Sequence, residues 1–261
     1  MIALELESVS VTYSSGPAVI NISHGVAACE WVCLIGPNGA GKTSLLRACL
    51  GLVQHQGTIR IDGTDLSTIN VAERSRLIAY APQDPVLPPG MTALQYTLLG
   101  RTPYISRFGS ESAADRLIAC DVLERLDMGR YRNTPLASLS GGERQRIVIA
   151  RALAQQASVV LLDEPTASLD VGHQQQALEL VDRLRRESGL TVISAMHDLT
   201  LAGLYCDRLV LIRCGSIVAT GPARDVLRAD LLESTYGAAV RVLHADDGTV
   251  VVIPTRKTTH V

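Results

Sequence analysis

The sequence predicts an α/β protein built on a parallel sheet, and three observations support that fold class. Val159–Asp163 and Thr191–Met196 are compact apolar runs rich in β-branched residues. Each is separated from its neighbours by a helical segment, the pattern of strands buried on both faces. A glycine-rich loop joins another apolar run, residues 31–35, to a stretch with helical apolar spacing. Finally, Pro82, Pro85, Pro88 and Pro89 exclude a continuous helix or central strand and mark a linker, behind which a helical insertion is expected.

The elements follow in order. Residues 2–13 alternate as a strand, and Ser14-Ser15-Gly16-Pro17 is a turn before the strand 31–35. Residues 43–50 read as a helix that Gly51 stops, and 58–62 as a strand closing at Asp62-Gly63. Beyond the proline linker, 91–100 and 112–127 read as helices, and Ser140-Gly141-Gly142-Glu143 opens a helical run through Gln155. The tail from about residue 238 ends in a hairpin with Asp247-Gly248 at its turn, and its His244 and His260 read as solvated.

The chain has 261 residues, enough for one or two domains with a sizeable core, and a formal net charge of −2. That balance excludes a protein that coats nucleic acid by bulk charge. With 47% hydrophobic and 19% charged residues the chain is not disordered, and 3% aromatics leaves no base-stacking surface. No nucleic-acid partner is expected. None of the six cysteines forms a CxxC pair. Cys29 and Cys33 fall in what reads as one strand, too far apart to bridge, so free thiols in a reducing cytosol are expected. Glu5 and Glu7 rule out a signal peptide at the start, and no apolar run reaches the length of a membrane span.

Gly36-Pro37-Asn38-Gly39-Ala40-Gly41-Lys42-Thr43 fits G-x-x-x-x-G-K-[ST] between a strand and a helix. Glycines let successive N–H groups face inward, and the helix start adds free donors and a positive dipole end. Lys42 supplies a mobile charge for the β- and γ-phosphates, and the hydroxyl of Thr43 or Ser44 suits Mg²⁺. The pattern predicts a nucleoside triphosphate site. Asp163-Glu164 ends the strand 159–163, where ligands of open α/β sheets sit. Asp163 is expected to hold Mg²⁺ through water, and Glu164 to activate the attacking water. His197, just past the strand 191–196, suits a hydrogen bond to the γ-phosphate and the catalytic carboxylate. Ser140 to Glu143 has capping-box spacing. Taken alone it is a helix start, but its two glycines also leave N–H groups uncovered as a second anion site.

Leu139-Ser140-Gly141-Gly142-Glu143-Arg144-Gln145 resembles the signature motif of the ATP-binding cassette (ABC) ATPases. The family's other elements stand in order: the phosphate loop 36–43, Gln83 in the linker, the acidic strand 159–164, Ser168-Leu169-Asp170 and His197. The resemblance implies a P-loop NTPase (RecA-like) core, an antiparallel β subdomain and an inserted helical subdomain at about 88–150. The ATPase domain then spans 2–237, and 238–261 is an extension. It implies ATP and Mg²⁺, with Gln83 reaching the metal or the attacking water and Tyr13 stacking on adenine, although Tyr13 could equally be a half-buried strand residue. It further implies a head-to-tail pair of copies in which Ser140, Gly141, Gly142 and Glu143 serve the partner's nucleotide and Asp170 connects the two sites.

Leu99-Gly100-Arg101-Thr102-Pro103-Tyr104 resembles the Gly-Arg-x-Pro segment of ATPases for iron–siderophore, haem and cobalamin uptake, and Ser168–Gln174 is similar to the same group's sequence. Residues Pro103–Phe108 could equally be a plain surface loop. The resemblance implies a peripheral subunit on the cytoplasmic face of the inner membrane, working with a separate permease and, indirectly, a substrate-binding protein. A soluble ABC ATPase acting in assembly or regulation without a permease is the alternative.

Overall fold

The computed structural model describes residues 1–106, 109–167 and 169–256. Ser168, Phe108 and His260 therefore lie outside the described residues.

Two long strands open the chain, β1 (Ile2–Tyr13) and β2 (Gly16–Ala27), followed by β3 (Trp31–Ile35) and the helix α1 (Lys42–Cys49). Gly51, in the left-handed region at φ 64°, ends α1 as the sequence predicts. Next come β4 (Gln56–Ile61), β5 (Thr64–Asp65), α2 (Val71–Leu77) and β6 (Ile78–Ala81). The proline stretch after Ala81 carries neither helix nor strand. Beyond it lie α3 (Ala93–Leu98), the 3₁₀ helix Leu99–Tyr104, α4 (Ala113–Arg125) and α5 (Gly141–Ala154). Alternation then resumes with β7 (Val159–Asp163), α6 (Val171–Ser188), β8 (Thr191–Ala195), α7 (Leu199–Tyr205), β9 (Arg208–Arg213) and β10 (Ser216–Gly221). Two short helices, α8 (Ala223–Val226) and α9 (Ala229–Tyr236), precede β11 (Val240–His244) and β12 (Val250–Pro254). These last strands pair antiparallel around a turn containing Asp247 and Gly248, and His244 is exposed.

The central sheet has the order β10-β9-β3-β8-β7-β6, parallel throughout except for the edge strand β10. β3, β7 and β8 are buried along their whole length, which explains their uninterrupted apolar sequence. Trp31, Cys33 and Ile35 face the core shared with α3, α4 and α5. Val32 and Leu34 face the other core, against α1 and the antiparallel sheet β2-β1-β4-β5. The two-sided packing fixes the register of β3, because a one-residue slip would exchange its two apolar sets.

Two strand boundaries depart from expectation: Gly16 and Pro17, expected in a turn, already open β2, and Cys29 lies outside β3. Cys29 sits in an exposed turn at φ 62°, so only Cys33 belongs to β3, and all six cysteines are free. α2 and β6 lie outside the elements read from the sequence: α2 is marked only by its Asn70–Glu73 capping box and buries no residue, so it shows no apolar stripe, and β6 is only four residues long.

Candidate nucleotide site

The parallel strands deliver the candidate residues to one edge of the sheet. β3 runs into the phosphate loop, β6 ends two residues before Gln83, β7 ends at Asp163, and β8 stops just before Met196 and His197. The loop's glycines are required by its shape. A Cβ on Gly36 (φ 151°) would stand 2.2 Å from the Ile212 carbonyl oxygen, and one on Gly41 (φ 106°) 2.2 Å from that of Ala18. Gly39, with open space around it, supplies only its positive φ of 77°. Ala40 is buried and bonded on both sides, its N–H to Pro37 and its carbonyl to the Gly215 N–H. Pro37 is half-buried, and Asn38 is exposed at the loop's crest.

The first turn of α1 has no side-chain cap. By contrast, α2 through α7 are all capped, by Asn70, Thr92, Ser112, Ser140, Asp170 and Asp198. An uncapped helix start behind an inward-curled loop is an anion site. The Lys42 ammonium crosses the loop, donating to the carbonyls of Gly36 (2.7 Å) and Pro37 (3.2 Å). Burial lowers its pKa, and the carboxylates of Glu164 and Asp163 oppose that shift.

Asp163, 2% exposed, accepts from the Thr43 hydroxyl at 3.1 Å and from the Tyr80 hydroxyl at 3.0 Å. Ser44 follows Thr43 in α1, half-buried. Glu164 occupies the left-handed region at φ 51°, and its N–H donates to the Ala195 carbonyl. That conformation turns its carboxylate toward two partners. Gln83 donates from Nε2 to Oε2 at 2.7 Å, and His197 Nε2 bonds Oε1. Gln83, Glu164 and His197 thus form one hydrogen-bonded group beside the pair Thr43–Asp163. Tyr80 is the residue missed from sequence: it stands three positions before Gln83 and pairs with Leu161 in register, two residues short of Asp163.

The hydroxyl of Thr43, the carboxylate of Asp163 and the side-chain amide of Gln83 give an oxygen-rich set of the kind a hard divalent cation takes, so these residues fit Mg²⁺.

The Ser140–Glu143 turn lies elsewhere in the chain. Ser140 caps α5, its Oγ accepting from the Glu143 N–H at 3.3 Å while Glu143 accepts the Ser140 N–H at 2.8 Å. The Tyr131 hydroxyl, and next the Ser140 backbone, hold the Glu143 carboxyl below its ordinary pKa. Ser140 and Gly141 are exposed, and Gly142 is buried against the ring of His173. Asp170 caps α6 through the His173 N–H at 2.9 Å. Neither Ser140–Glu143 nor Asp170 is hydrogen-bonded to the Glu164 group; they form a second cluster with His173. Tyr13, 37% exposed, ends β1 opposite Gly16.

The Gly-Arg-x-Pro segment is ordered by a buried arginine. Arg101 pairs with Asp115 at 2.9 Å, donates to the Ala154 carbonyl at 2.8 Å and packs 4.0 Å from the centre of the Tyr104 ring. Pro103 and Tyr104 thus belong to the folded helical segment, not to a plain loop.

A phosphate loop, an acidic strand end and a polar cluster on an open α/β sheet define a P-loop nucleotide-binding fold. Residues 19–167 match the ABC transporter family. The chain is 37% identical over 257 residues to the hemin import ATP-binding protein HmuV of Rhodococcus jostii, covering 98% of this chain and 87% of that protein. It is 43% identical over 210 residues to the cobalamin import ATP-binding protein BtuD of Halobacterium salinarum, covering 80% of this chain but spanning only about half (52%) of that relative's length. A metal-chelate type ABC transporter, solved in an inward-facing conformation, superposes with a TM-score of 0.86 at 25% identity over 99% of both chains. This chain belongs to the ABC transporter family.

Proposed function

We propose that this chain is the ATP-hydrolysing subunit of an importer for an iron chelate (ferric siderophore or haem) or cobalamin, working through a separate permease. The observation that carries the reading is the shared carboxylate of Glu164. It is bonded by Gln83 from the linker and by His197 from the end of β8, beside the pair Thr43–Asp163. The relatives' import roles and the metal-chelate type structure support the solute class.

In this reading the N–H groups of the phosphate loop and of the α1 start hold the triphosphate, with Lys42 on its β- and γ-phosphates and Tyr13 against adenine. Thr43, Gln83 and Asp163 would hold Mg²⁺, which when bound would neutralise developing phosphate charge. Glu164 takes a proton from water aligned with the γ-phosphate; His197 Nε2 orients that carboxylate and carries the one N–H that can be shared with the phosphate. Two copies close head to tail, so that the α5 start at Ser140–Glu143 serves the partner's γ-phosphate and Asp170 lies between the sites. Residues 2–237 form the ATPase domain, with 88–150 as its helical insertion, and 238–261 an extension. The linker after Gln83 passes closure to the permease at the cytoplasmic face of the membrane. Among the described residues no helix is long and apolar enough to cross a membrane; in this reading the permease supplies the span.

Glu164→Gln tests the core of this reading. It should bind ATP, fail to hydrolyse it and accumulate as a dimer in light scattering. A protein that stays monomeric at saturating Mg²⁺–ATP would overturn the head-to-tail arrangement. Co-expressed with its permease, the chain should sediment with membranes and be released by agents that strip peripheral proteins.

A further inference from the structure

The starts of α5 and α6 are joined by one side chain that the mechanism above does not use. A Cβ built on Gly142 would stand 2.7 Å from Cδ2 of the His173 ring, 3.2 Å from Cγ and 3.4 Å from Nε2. Gly141, one residue earlier, has nothing within 4 Å of the same point. The two glycines of the signature turn therefore answer to different constraints. Gly141 keeps the surface open, and Gly142 makes room inside its own chain for an imidazole. The ring is engaged on its other edge, where its Nδ1 lies 2.8 Å from Asp170 Oδ1. That same carboxylate oxygen accepts the His173 N–H at 2.9 Å as the cap of α6. A methyl group at position 142 would displace the ring and with it the bond to Asp170.

We infer that His173 is a positioning residue: its ring fills the side-chain space at position 142 and ties the signature turn to Asp170, so that both present to the partner copy as one rigid unit. The inference rests on the head-to-tail reading for its functional consequence. The ring's dependence on a glycine at 142 does not.

The test uses the Glu164→Gln chain as parent, so that dimers accumulate. Gly142→Ala should weaken ATP-dependent dimer formation about tenfold, the size expected for one strongly coupled contact, while ATP affinity of the monomer stays at the parent value. His173→Asn retains a short amide that reaches Asp170 and removes the ring edge facing Gly142. Combined with Gly142→Ala it should restore dimer formation to within about threefold of the parent. A double variant as impaired as Gly142→Ala alone would overturn the inference. On the monomer, the imidazole Nδ1 proton of His173 should be hydrogen-bonded in the parent and solvent-exchanged in Gly142→Ala; an unchanged Nδ1 signal would equally overturn it. If the parent itself never dimerises, the head-to-tail reading fails, and the Nδ1 measurement still decides whether the ring answers to position 142.

Discussion

Replacing Tyr80 with Phe removes one oxygen and nothing else, and the structure says what should follow. The phenol donates to Oδ2 of Asp163 at 3.0 Å, while Thr43 serves Oδ1 at 3.1 Å. Asp163 is 2% exposed, so water does not readily replace a lost donor. Burial first, and then the neighbouring Asp163 carboxylate, push the Tyr80 pKa up, which keeps the phenol protonated and donating throughout the useful pH range. A hydrogen bond to a charged group contributes about 1.5–3 kcal/mol, so Tyr80→Phe should cost that much in urea unfolding without nucleotide or divalent metal. The same substitution in an Asp163→Asn background should cost only about 1 kcal/mol, as expected for a neutral pair. A loss below about 0.5 kcal/mol, or an equal loss in both backgrounds, would show that the hydroxyl does not act through Asp163.

Lys42→Ala removes the ammonium that spans Gly36 and Pro37, and two charge-assisted contacts to phosphate should cost ATP affinity about a hundredfold or more in calorimetry. Affinity within threefold of the wild type would end the phosphate-loop assignment. The Asp115 carboxyl is held down to about 2, first by the Ser112 hydroxyl and then by Arg101. Its folded pKa lies below the unfolded value of about 3.9, so its stabilisation is complete above that value and is lost as pH falls toward 2. Asp115→Asn should flatten the acid limb of the urea midpoint over that window, and an unchanged slope would refute the pairing. Trp31, fully buried and donating from Nε1 to Ser194 Oγ at 3.0 Å, should cost about 3–5 kcal/mol when replaced by Ala, read as a lower urea midpoint at unchanged m-value.

What was legible in the sequence was whatever a local rule dictates. The phosphate loop could be read because no other residues fit its backbone: a Cβ at Gly36 or Gly41 would collide with carbonyl oxygens of distant strands. β3, β7 and β8 could be read because strands buried on both faces need unbroken apolar runs. The misses are set by distant segments. Tyr80 is an ordinary strand residue until β6 is known to pair with β7, and only that register brings its hydroxyl to Asp163. Cys29 reads as strand because it sits between the apolar Val26–Ala28 and Trp31–Ile35, yet the chain turns there, and beyond the turn Trp31 donates its N–H to Asp207 at 2.8 Å. His173 sat inside a recognised stretch, but its role depends on α5 and α6 starting side by side.

The two helix starts to which we assign phosphate are built to different physical specifications, and the difference predicts an order of events. α1 begins at a glycine with no side-chain cap, so its first N–H groups have no competing acceptor and an incoming phosphate displaces nothing. α5 begins in a complete capping box, where Glu143 covers the Ser140 N–H at 2.8 Å and Ser140 reaches the Glu143 N–H only at 3.3 Å. A phosphate approaching α5 meets a carboxylate that Tyr131 and Ser140 keep ionised, and must compete with a cap that already satisfies part of the helix end. Of the two, α1 is the better site for free nucleotide, and α5 suits a phosphate already held and partly neutralised by Lys42. An isolated chain should therefore load ATP at the phosphate loop first, and the α5 start should contribute only after that loaded site is brought to it by a second copy.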